Sequence, residues 1–310
     1  MLLLWYSMSM HGSALHVTAD PRLVMRAYGD ETGASQTVIP LRDDDGPFGV
    51  AMVAVMGDVA TGALPRGRAK RPEDVVRRLR EVRGFPSWSY VQPVPGYGQA
   101  WAQKHRILNA LGRAQKRATG LNAPYMPDEG LNARNFVWGY AADIALATLG
   151  TFAPLCYRLT PTHLEVCFDR KTLQDEHRES VRKVARNFSA SVRQGLLGDV
   201  ATLTPDQARL VTALAEKVNV PPENVTVTWS DEPGFTASQP EMDLADSLAW
   251  HCRREVEGKG NISSLLQQAG YRTFRMTNIT KVMMEPISSE RIRVWENRSG
   301  LSAADLLGRD

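Results

Sequence analysis

The strongest constraint on the fold is an apolar run that ends in two adjacent carboxylates. Residues 23–28 are mostly apolar and lead into Asp30 and Glu31, with Gly33 behind them. Leu, Val and Tyr favour a strand, and the glycine favours a turn at its end. Because side chains alternate along a strand, Asp30 and Glu31 face opposite sides, so one of them can face a site. Taken alone, the run is also explained by a strand followed by a polar turn.

Further apolar segments also have the character of strands. Residues 48–56 are almost wholly apolar, which is typical of a strand covered on both faces. Together with the first run they predict an antiparallel pair. Residues 164–168 alternate between apolar and other side chains, and Asp169 follows them directly. A second strand therefore ends in a carboxylate, and residues 224–229 predict one more strand.

A later helix carries the third acidic position. Residues 241–250 predict a helix with Asp243 and Asp246 in its first part. The helix dipole alone favours acids near a helix start, so this placement also has a structural explanation. Asp246 lies among Ala245 and Leu248, and a carboxylate in apolar surroundings needs a partner because an unpaired buried charge is costly.

Carboxylates at strand ends and at a helix start can meet at one edge of a mixed sheet. Held close together, such like charges repel one another unless they are protonated or neutralised by cations. Carboxylate oxygens suit Mg²⁺ or Mn²⁺. Two such ions about 3.5–4 Å apart can activate water and stabilise the leaving oxygen in phosphodiester cleavage. The pattern therefore favours a divalent-metal site for phosphodiester hydrolysis.

Basic residues are clustered, although the formal net charge is only +3. Residues 66–83 carry many arginines, and the helix predicted for residues 173–194 places three arginines on one face because they are four residues apart. Such clusters fit a nucleic acid, and equally a solvated surface. The residues expected to contact phosphate are Arg170, Lys171, Arg178, Arg182 and Arg186.

Cysteine spacing and the lengths of apolar runs bear on the compartment. The three cysteines form neither a C-x-x-C pair nor a disulfide framework. Buried thiols fit a reducing cytoplasm. Residues 1–5 are apolar but too short to span a bilayer, and no other run is long enough. We therefore expect a cytoplasmic protein with no membrane partner.

Between these motifs the pattern predicts several helices and one loop. The helices are expected at residues 72–83, 99–119, 132–149 and 204–218. Residues 84–98 combine Gly, Pro and Ser with aromatic residues, and we expect an irregular loop there.

The order of the acidic motifs resembles the ribonuclease H-like fold and, more narrowly, the family catalogued as domain of unknown function 3800. Members of that family open with a strand ending in Asp-Glu-Ser-Gly, for which this chain has residues 30–33, with Thr32 in place of Ser. An apolar strand follows, here residues 48–56, and then a strand that ends in an aspartate, here Asp169. A helix of the form Leu-Ala-Asp-x-Leu-Ala closes the pattern and is matched by residues 244–249.

The resemblance implies an α/β fold, a ribonuclease H-like mixed five-stranded sheet flanked by helices. It covers about residues 24–257 and matches residues 59–130 poorly. We therefore expect a domain at residues 1–257 with a basic, helical insertion at 59–130. Residues 258–310 are expected to form a C-terminal extension, with a helix and a strand that pack on the core or on a second copy.

The resemblance also implies which residues form the site. Asp30, Asp169 and Asp246 carry over as metal-binding and catalytic carboxylates. Glu31 is a further catalytic candidate, and Asp243 is a further metal ligand. The implied cofactor is Mg²⁺ or Mn²⁺, as two ions. The implied function is a metal-dependent nuclease that cleaves DNA or RNA, in a phage, a mobile element or a defence system.

A non-catalytic protein is the competing hypothesis. It would keep the fold and bind nucleic acid, or build an assembly, without cutting. The terminal segments also leave a homo-oligomer open. No G-x-x-x-x-G-K, G-x-G-x-x-G or G-x-S-x-G motif occurs, which disfavours NTPases, Rossmann dehydrogenases and α/β-hydrolases.

Overall fold

The computed structural model describes the chain in segments. They are residues 18–19, 23–33, 43, 46–57, 64–104, 106–107, 142, 144–151, 159–169, 175–198, 200–271, 274, 276–285 and 293. The helices expected at residues 99–119 and 132–149 therefore lie partly outside the described residues, and their described parts are helical.

A mixed sheet forms the centre of the molecule. The strands are β1 Thr18–Ala19, β2 Val24–Thr32, β3 Phe48–Met56, β4 Phe85–Val91, β5 Leu159–Thr160, β6 His163–Phe168, β7 Val225–Trp229 and β8 Met276–Asn278. Six of them form one sheet in the order β7-β6-β2-β3-β4-β8, and β1 pairs with β5 separately. β2 pairs antiparallel with β3 and parallel with β6. The other pairs are β3–β4 antiparallel, and β6–β7 and β4–β8 parallel.

Helices lie on both faces of this sheet. They are α1 Pro72–Glu81, α2 at residues 97–104, α3 at residues 144–151, α4 Asp175–Arg186, α5 Phe188–Leu197, α6 Pro205–Lys217, α7 Gln239–Val256, α8 Ile262–Gln268 and α9 Thr280–Met284. Helices α1, α7 and α8 pack on one face, which we call the α7 face. Helices α3, α4, α5 and α6 contribute to the core on the other face. Within the described segments, no helix has the length and apolar composition needed to cross a bilayer.

Strand β3 shows why the sheet needs helices on both sides. Its residues alternate between the two cores: Val50 and Met52 lie in the core of α3 to α6, whereas Ala51 and Val53 lie under α7. All four side chains are fully buried. This confirms the expectation of a strand covered on both faces, and burial of this kind is the main favourable term in folding.

The helix starts follow from local sequence. Thr204 and Gln207 form a capping box at the start of α6, where Thr204 Oγ1 accepts from the Gln207 N–H at 3.4 Å and the Gln207 side chain accepts from the Thr204 N–H at 3.0 Å. At the start of α7, Glu241 Oε2 accepts from the Ser238 N–H at 2.6 Å. Proline at the first turn supports the start of both helices, because its missing N–H has no partner to lose there.

Strand β4 was not expected, and the prediction of a loop at residues 84–98 is wrong at this point. Its sequence, Phe-Pro-Ser-Trp-Ser-Tyr-Val, contains a proline and two serines, which disfavour a strand locally. Pro86 is tolerated because it lies next to the strand start, where β8 does not reach: β8 pairs only with residues 88–90. Pairing with β3 and burial of Trp88 override the local preference.

Two further boundaries differ from the sequence prediction. The helix expected at residues 173–194 is two helices, α4 and α5, which meet at Asn187. The sheet has six strands and not five, because β8 from the C-terminal segment pairs with β4. Helices α8 and α9 therefore contribute to the cores on the two faces of the sheet, and β4, within residues 59–130, belongs to that sheet.

Candidate functional site

Asp30 lies near the end of the central strand and is almost buried, with 6% of its surface exposed. It shares the face of Tyr28, which packs under α7, because side chains alternate along β2. Asp30 Oδ1 accepts from the Glu31 N–H at 2.7 Å. Glu31 follows on the opposite face, so the two adjacent acids are separated by the strand itself.

Asp169 follows the end of the neighbouring parallel strand. Gly29 on β2 is paired with Phe168 on β6, so Asp30 and Asp169 are the next residues of the two strands in register. Adjacent strands lie about 4.8 Å apart, which brings the two backbones close at this edge. Asp169 is exposed, and its Oδ1 accepts from Ser230 Oγ at 2.9 Å. Ser230 follows β7, so three parallel strands contribute polar residues at their carboxyl ends.

Close contact between β2 and β6 depends on a residue without a side chain. A Cβ atom on Gly29 would lie 2.3 Å from Phe168 Cε1 and 2.6 Å from Phe168 Cδ1. Real Cβ atoms do not approach that closely, so the Phe168 ring fills the space above Gly29. The glycine directly before Asp30 thus allows the two acidic strand ends to lie side by side.

Helix α7 crosses the face of the sheet that carries Asp30. Its first turn is attached to β2 by a buried hydrogen bond in which the Tyr28 hydroxyl donates to Glu241 Oε1 at 2.7 Å. Burial raises the pKa of Tyr28 strongly, and the Glu241 carboxylate raises it further, so the hydroxyl keeps its proton. This contact places the next turn of α7, with Asp243 and Asp246, beside the end of β2.

A segment before α1 lies against α7, and we call residues 64–71 the Arg68 strap. Two of its residues are held through both their N–H and their carbonyl groups. The Gly67 N–H donates to Asp243 Oδ2 at 2.5 Å, and the Gly67 carbonyl accepts from Arg78 Nη1 at 2.7 Å. The Ala69 N–H donates to Ser247 Oγ at 2.8 Å, and the Ala69 carbonyl lies 3.0 Å from His251 Nε2. Both neighbours of Arg68 are therefore held in place.

The strap brings Arg68 onto Asp246. Arg68 Nε and Nη2 donate to the two carboxylate oxygens at 2.5 and 2.6 Å, a two-point contact. These hydrogen bonds raise the pKa of Arg68; partial burial opposes the rise, and the charges of Asp246 and Asp30 add to it. Arg68 thus lies within electrostatic reach of two of the predicted site carboxylates at once.

The structure brings the predicted acids to one region but not into a preformed cage. Asp30 and Asp246 share Arg68 as a neighbouring cation, and Asp169 lies at the end of the next strand. Among the described residues, no group of three or more His, Cys, Asp or Glu side chains is arranged to hold a metal ion. Asp243 binds the strap and accepts from Gln239 Nε2 at 2.8 Å with its other oxygen.

The predicted phosphate contacts have mixed placements. Arg178 and Arg182 both bind Glu232, and their guanidinium carbons lie 5.3 and 5.1 Å from the centre of the Trp229 ring. A phosphate would reach Arg178 only in competition with these contacts, because 8% of its side chain is exposed. Arg186 is half exposed and contacts Glu179. Arg170 and Lys171 lie outside the described residues.

Sequence reasoning missed the two contacts that assemble the region. Arg68 and Asp246 are 178 positions apart, and Tyr28 and Glu241 are 213 apart. Arg68 was one of many arginines in residues 66–83, and no spacing distinguishes it. A small residue on either side, Gly67 and Ala69, is the one local signal, because it lets the backbone approach a helix closely.

The chain was compared with known proteins in three ways. No protein-family model, no curated protein and no solved structure gave a significant match.

Proposed function

We propose that the chain is a metal-dependent nuclease that hydrolyses phosphodiester bonds in DNA or RNA. One observation supports this proposal: Asp30 and Asp169, far apart in sequence, follow paired strand residues, and Arg68, which binds Asp246, is within electrostatic reach of Asp30. Asp30 and Asp169 follow paired residues of adjacent parallel strands, and Asp246 lies on the helix that crosses the same face. Acidic side chains at such an edge suit divalent cations.

The arrangement of the sheet supports a ribonuclease H-like fold. The strand carrying Asp30 is central, and β3 and β4 follow it in sequence as successive antiparallel strands, β3 beside β2 and β4 beside β3. The strand ending before Asp169 pairs with β2 in parallel. A helix bearing the third acid then packs across β2 and β3. The acidic motifs therefore follow one another in the order on which the sequence resemblance is based. The first two lie at strand ends of one sheet, and the third lies on the helix that packs against it.

The side chains fit Mg²⁺ or Mn²⁺ by their chemistry. The three candidate ligands are carboxylates, and a guanidinium already neutralises Asp246 in the place where a cation would be expected. Bound there, one or two divalent ions would supply an activated water and stabilise the leaving oxygen. Asp30, Asp169 and Asp246 would hold the ions, and the Ser230 hydroxyl would orient Asp169 through its hydrogen bond.

The surroundings of the site favour a polyanionic substrate. The Arg68 strap also carries Arg66, Lys70 and Arg71, all with exposed side chains. These cations lie on the segment that covers Asp246, so a phosphate backbone would meet positive charge beside the acids. We propose nucleic acid as the partner on this ground, and cytoplasmic activity remains a prediction.

Cleavage assays with defined metals test the function. Metal-stripped protein is incubated with labelled single- and double-stranded DNA and RNA, in Mn²⁺, in Mg²⁺ or in EDTA. We expect cleavage in the divalent ions and none in EDTA. Asp169→Asn should abolish cleavage and leave the melting temperature near that of the parent, because Asp169 is exposed. Asp206→Asn, at an exposed position on α6 that pairs with Arg209, is the matched control and should cleave normally.

A non-catalytic nucleic-acid-binding protein is the second candidate, and one contact favours it. Because Arg68 already pairs with Asp246, this carboxylate has a counter-ion without any metal ion. Retained binding of the labelled oligonucleotides, with no cleavage in any metal, would establish this alternative and remove the nuclease proposal.

A further inference from the structure

Arg68 differs from the other arginines of its segment in how it is held. The backbone groups of its two neighbours form four hydrogen bonds with side chains of α7 and α1, whereas half of its own side chain is exposed. The base of the side chain is therefore fixed by the fold, and the guanidinium can leave Asp246 without any change in the strap.

The acids around Arg68 suit a divalent ion by their chemistry. The guanidinium contacts Asp246 directly, and the charge of Asp30 acts on it as well. Carboxylate oxygens coordinate Mg²⁺ or Mn²⁺ directly, and the contact between Arg68 and Asp246 would have to break because both oxygens are engaged by the guanidinium.

We propose that Arg68 is a functional residue of the nuclease site with two successive partners. In the metal-free protein it is the counter-ion of Asp246. When a divalent ion takes Asp246, the released guanidinium binds a non-bridging oxygen of the substrate phosphodiester beside the ion. The inference rests on the proposed function, since it needs the metal ion and the phosphodiester that the function supplies.

The guanidinium group suits the second partner. Its planar donors match two oxygens of a phosphate as they match the two oxygens of Asp246, and its charge persists at every physiological pH. Bound ions would hold a phosphodiester near Asp246. Arg68, whose neighbouring residues are anchored there, would reach one of its oxygens by rotation of the side chain.

The first experiment measures Mn²⁺ binding, without any substrate. Metal-stripped parent, Arg68→Ala and Arg66→Ala are titrated with Mn²⁺, and free Mn²⁺ is followed by electron paramagnetic resonance. We expect Arg68→Ala to bind Mn²⁺ about fivefold more tightly than the parent, because a competing cation is gone. Arg66→Ala removes the same charge from the same strap at an exposed position that does not contact Asp246, and its affinity should stay within about twofold of the parent.

The second experiment measures cleavage of a labelled oligonucleotide at saturating Mn²⁺. Arg68→Ala should lower kcat by at least about tenfold although it binds metal more tightly, since the contact to the phosphodiester is lost. Arg68→Lys keeps the positive charge but not the planar guanidinium group, and its kcat should lie between those of the parent and Arg68→Ala. Circular dichroism spectra and melting temperatures show whether each variant is folded.

The outcomes separate this inference from the proposed function. If the parent binds Mn²⁺ and cleaves while Arg68→Ala matches it in both respects, the role of Arg68 is wrong and the nuclease stands. If Arg68→Ala binds Mn²⁺ more tightly but no variant cleaves, the counter-ion role stands and both the phosphodiester contact and the nuclease fail. If neither parent nor variant binds Mn²⁺, the inference and the metal site fail together.

Discussion

Tyr28 and Glu241 form a buried hydrogen bond that fastens α7 to the central strand, with 2.7 Å between the Tyr28 hydroxyl and Glu241 Oε1. Tyr28 lies two residues before Asp30, and Glu241 lies five residues before Asp246. The bond therefore fixes the position of one acidic side chain relative to the other. Because it is buried between strand and helix, it contributes both to stability and to the geometry of the candidate site.

Replacing Tyr28 by phenylalanine should lower both the stability of the protein and its cleavage activity. Tyr28→Phe removes the donor and leaves one oxygen of a buried carboxylate without this partner, which costs about 1.5–3 kcal/mol of unfolding free energy. Cleavage should fall as well, because α7 is less firmly placed over Asp30. Urea unfolding at pH 7 and the cleavage assay measure the two effects.

Tyr97 provides the matched control for Tyr28. Its hydroxyl is also buried but has no hydrogen-bond partner among the described residues. Tyr97→Phe should therefore leave the unfolding free energy unchanged or raise it slightly, since an unpaired buried hydroxyl is unfavourable. Equal destabilisation by the two substitutions would show that lost packing, and not the bond to Glu241, accounts for the effect of Tyr28→Phe.

Gly29 should not tolerate a methyl group. Its Cβ would overlap the Phe168 ring at 2.3 Å, so Gly29→Ala forces β2 and β6 apart or displaces the ring. We expect a loss of about 1–3 kcal/mol of unfolding free energy, as for other overpacked cores. Gly46→Ala is the control, because its Cβ would meet only Arg253 Nη2 at 3.6 Å, an ordinary contact. If both variants unfold at the same urea concentration, the close approach at Gly29 is unimportant.

The sequence was sufficient where a single element carries a strong local pattern. The apolar run before Asp30, the run at residues 48–56 and the alternation before Asp169 all became strands within a residue or two of their predicted bounds. Each is buried on one or both faces, so its hydrophobic pattern matches its environment. The acidic residues could be placed because each follows directly from such an element.

The sequence was insufficient where contacts between distant parts of the chain determine the local structure. β4 has a weak strand sequence and forms because β3 offers a partner on one side and β8 on the other. A break at Asn187 separates α4 from α5, and no glycine or proline in the sequence marks it. The attachment of the Arg68 strap to α7 depends on contacts that no local period encodes.

Acid should loosen the Arg68 strap through His251. The ring is buried, and its Nε2 must carry the proton to donate to the Ala69 carbonyl at 3.0 Å. Burial lowers the pKa of His251, and the positive charges of Arg254 and Arg68 lower it as well. The hydrogen bond to the Ala69 carbonyl and the charge of Glu73 raise it, but the net effect is a lowered pKa. The unfolded chain, with a pKa near 6.5, therefore takes up a proton before the folded protein does.

Because the unfolded chain is protonated first, the unfolding free energy should fall as the pH is lowered. The contribution of His251 is fully present above about pH 6.5 and is lost as the pH falls from there towards the lowered pKa, at up to about 1.4 kcal/mol per pH unit. His251→Gln keeps a donor but does not titrate, so its unfolding free energy should fall less steeply than that of the parent between pH 6.5 and 5. Parallel curves for parent and variant in urea unfolding would rule out this role for His251.

Arg178 and Arg186 lie on the same helix but should behave in opposite ways. The Arg178 guanidinium is enclosed by Asp231 at 2.9 Å, Glu232 at 3.1 Å and the Trp229 ring. Arg178→Ala removes this packing and takes one cationic partner from each of the two carboxylates, which should cost about 2 kcal/mol of unfolding free energy. Arg186→Ala changes an exposed side chain, so stability should stay within about 0.5 kcal/mol of the parent.

The exposed Arg186 side chain should instead affect oligonucleotide binding. In fluorescence anisotropy at low salt, with a labelled oligonucleotide, Arg186→Ala should bind about two- to threefold more weakly than the parent, because one phosphate contact is lost. Equal oligonucleotide affinities of parent and Arg186→Ala would show that α4 is a structural helix and that the substrate is bound from the Arg68 strap alone.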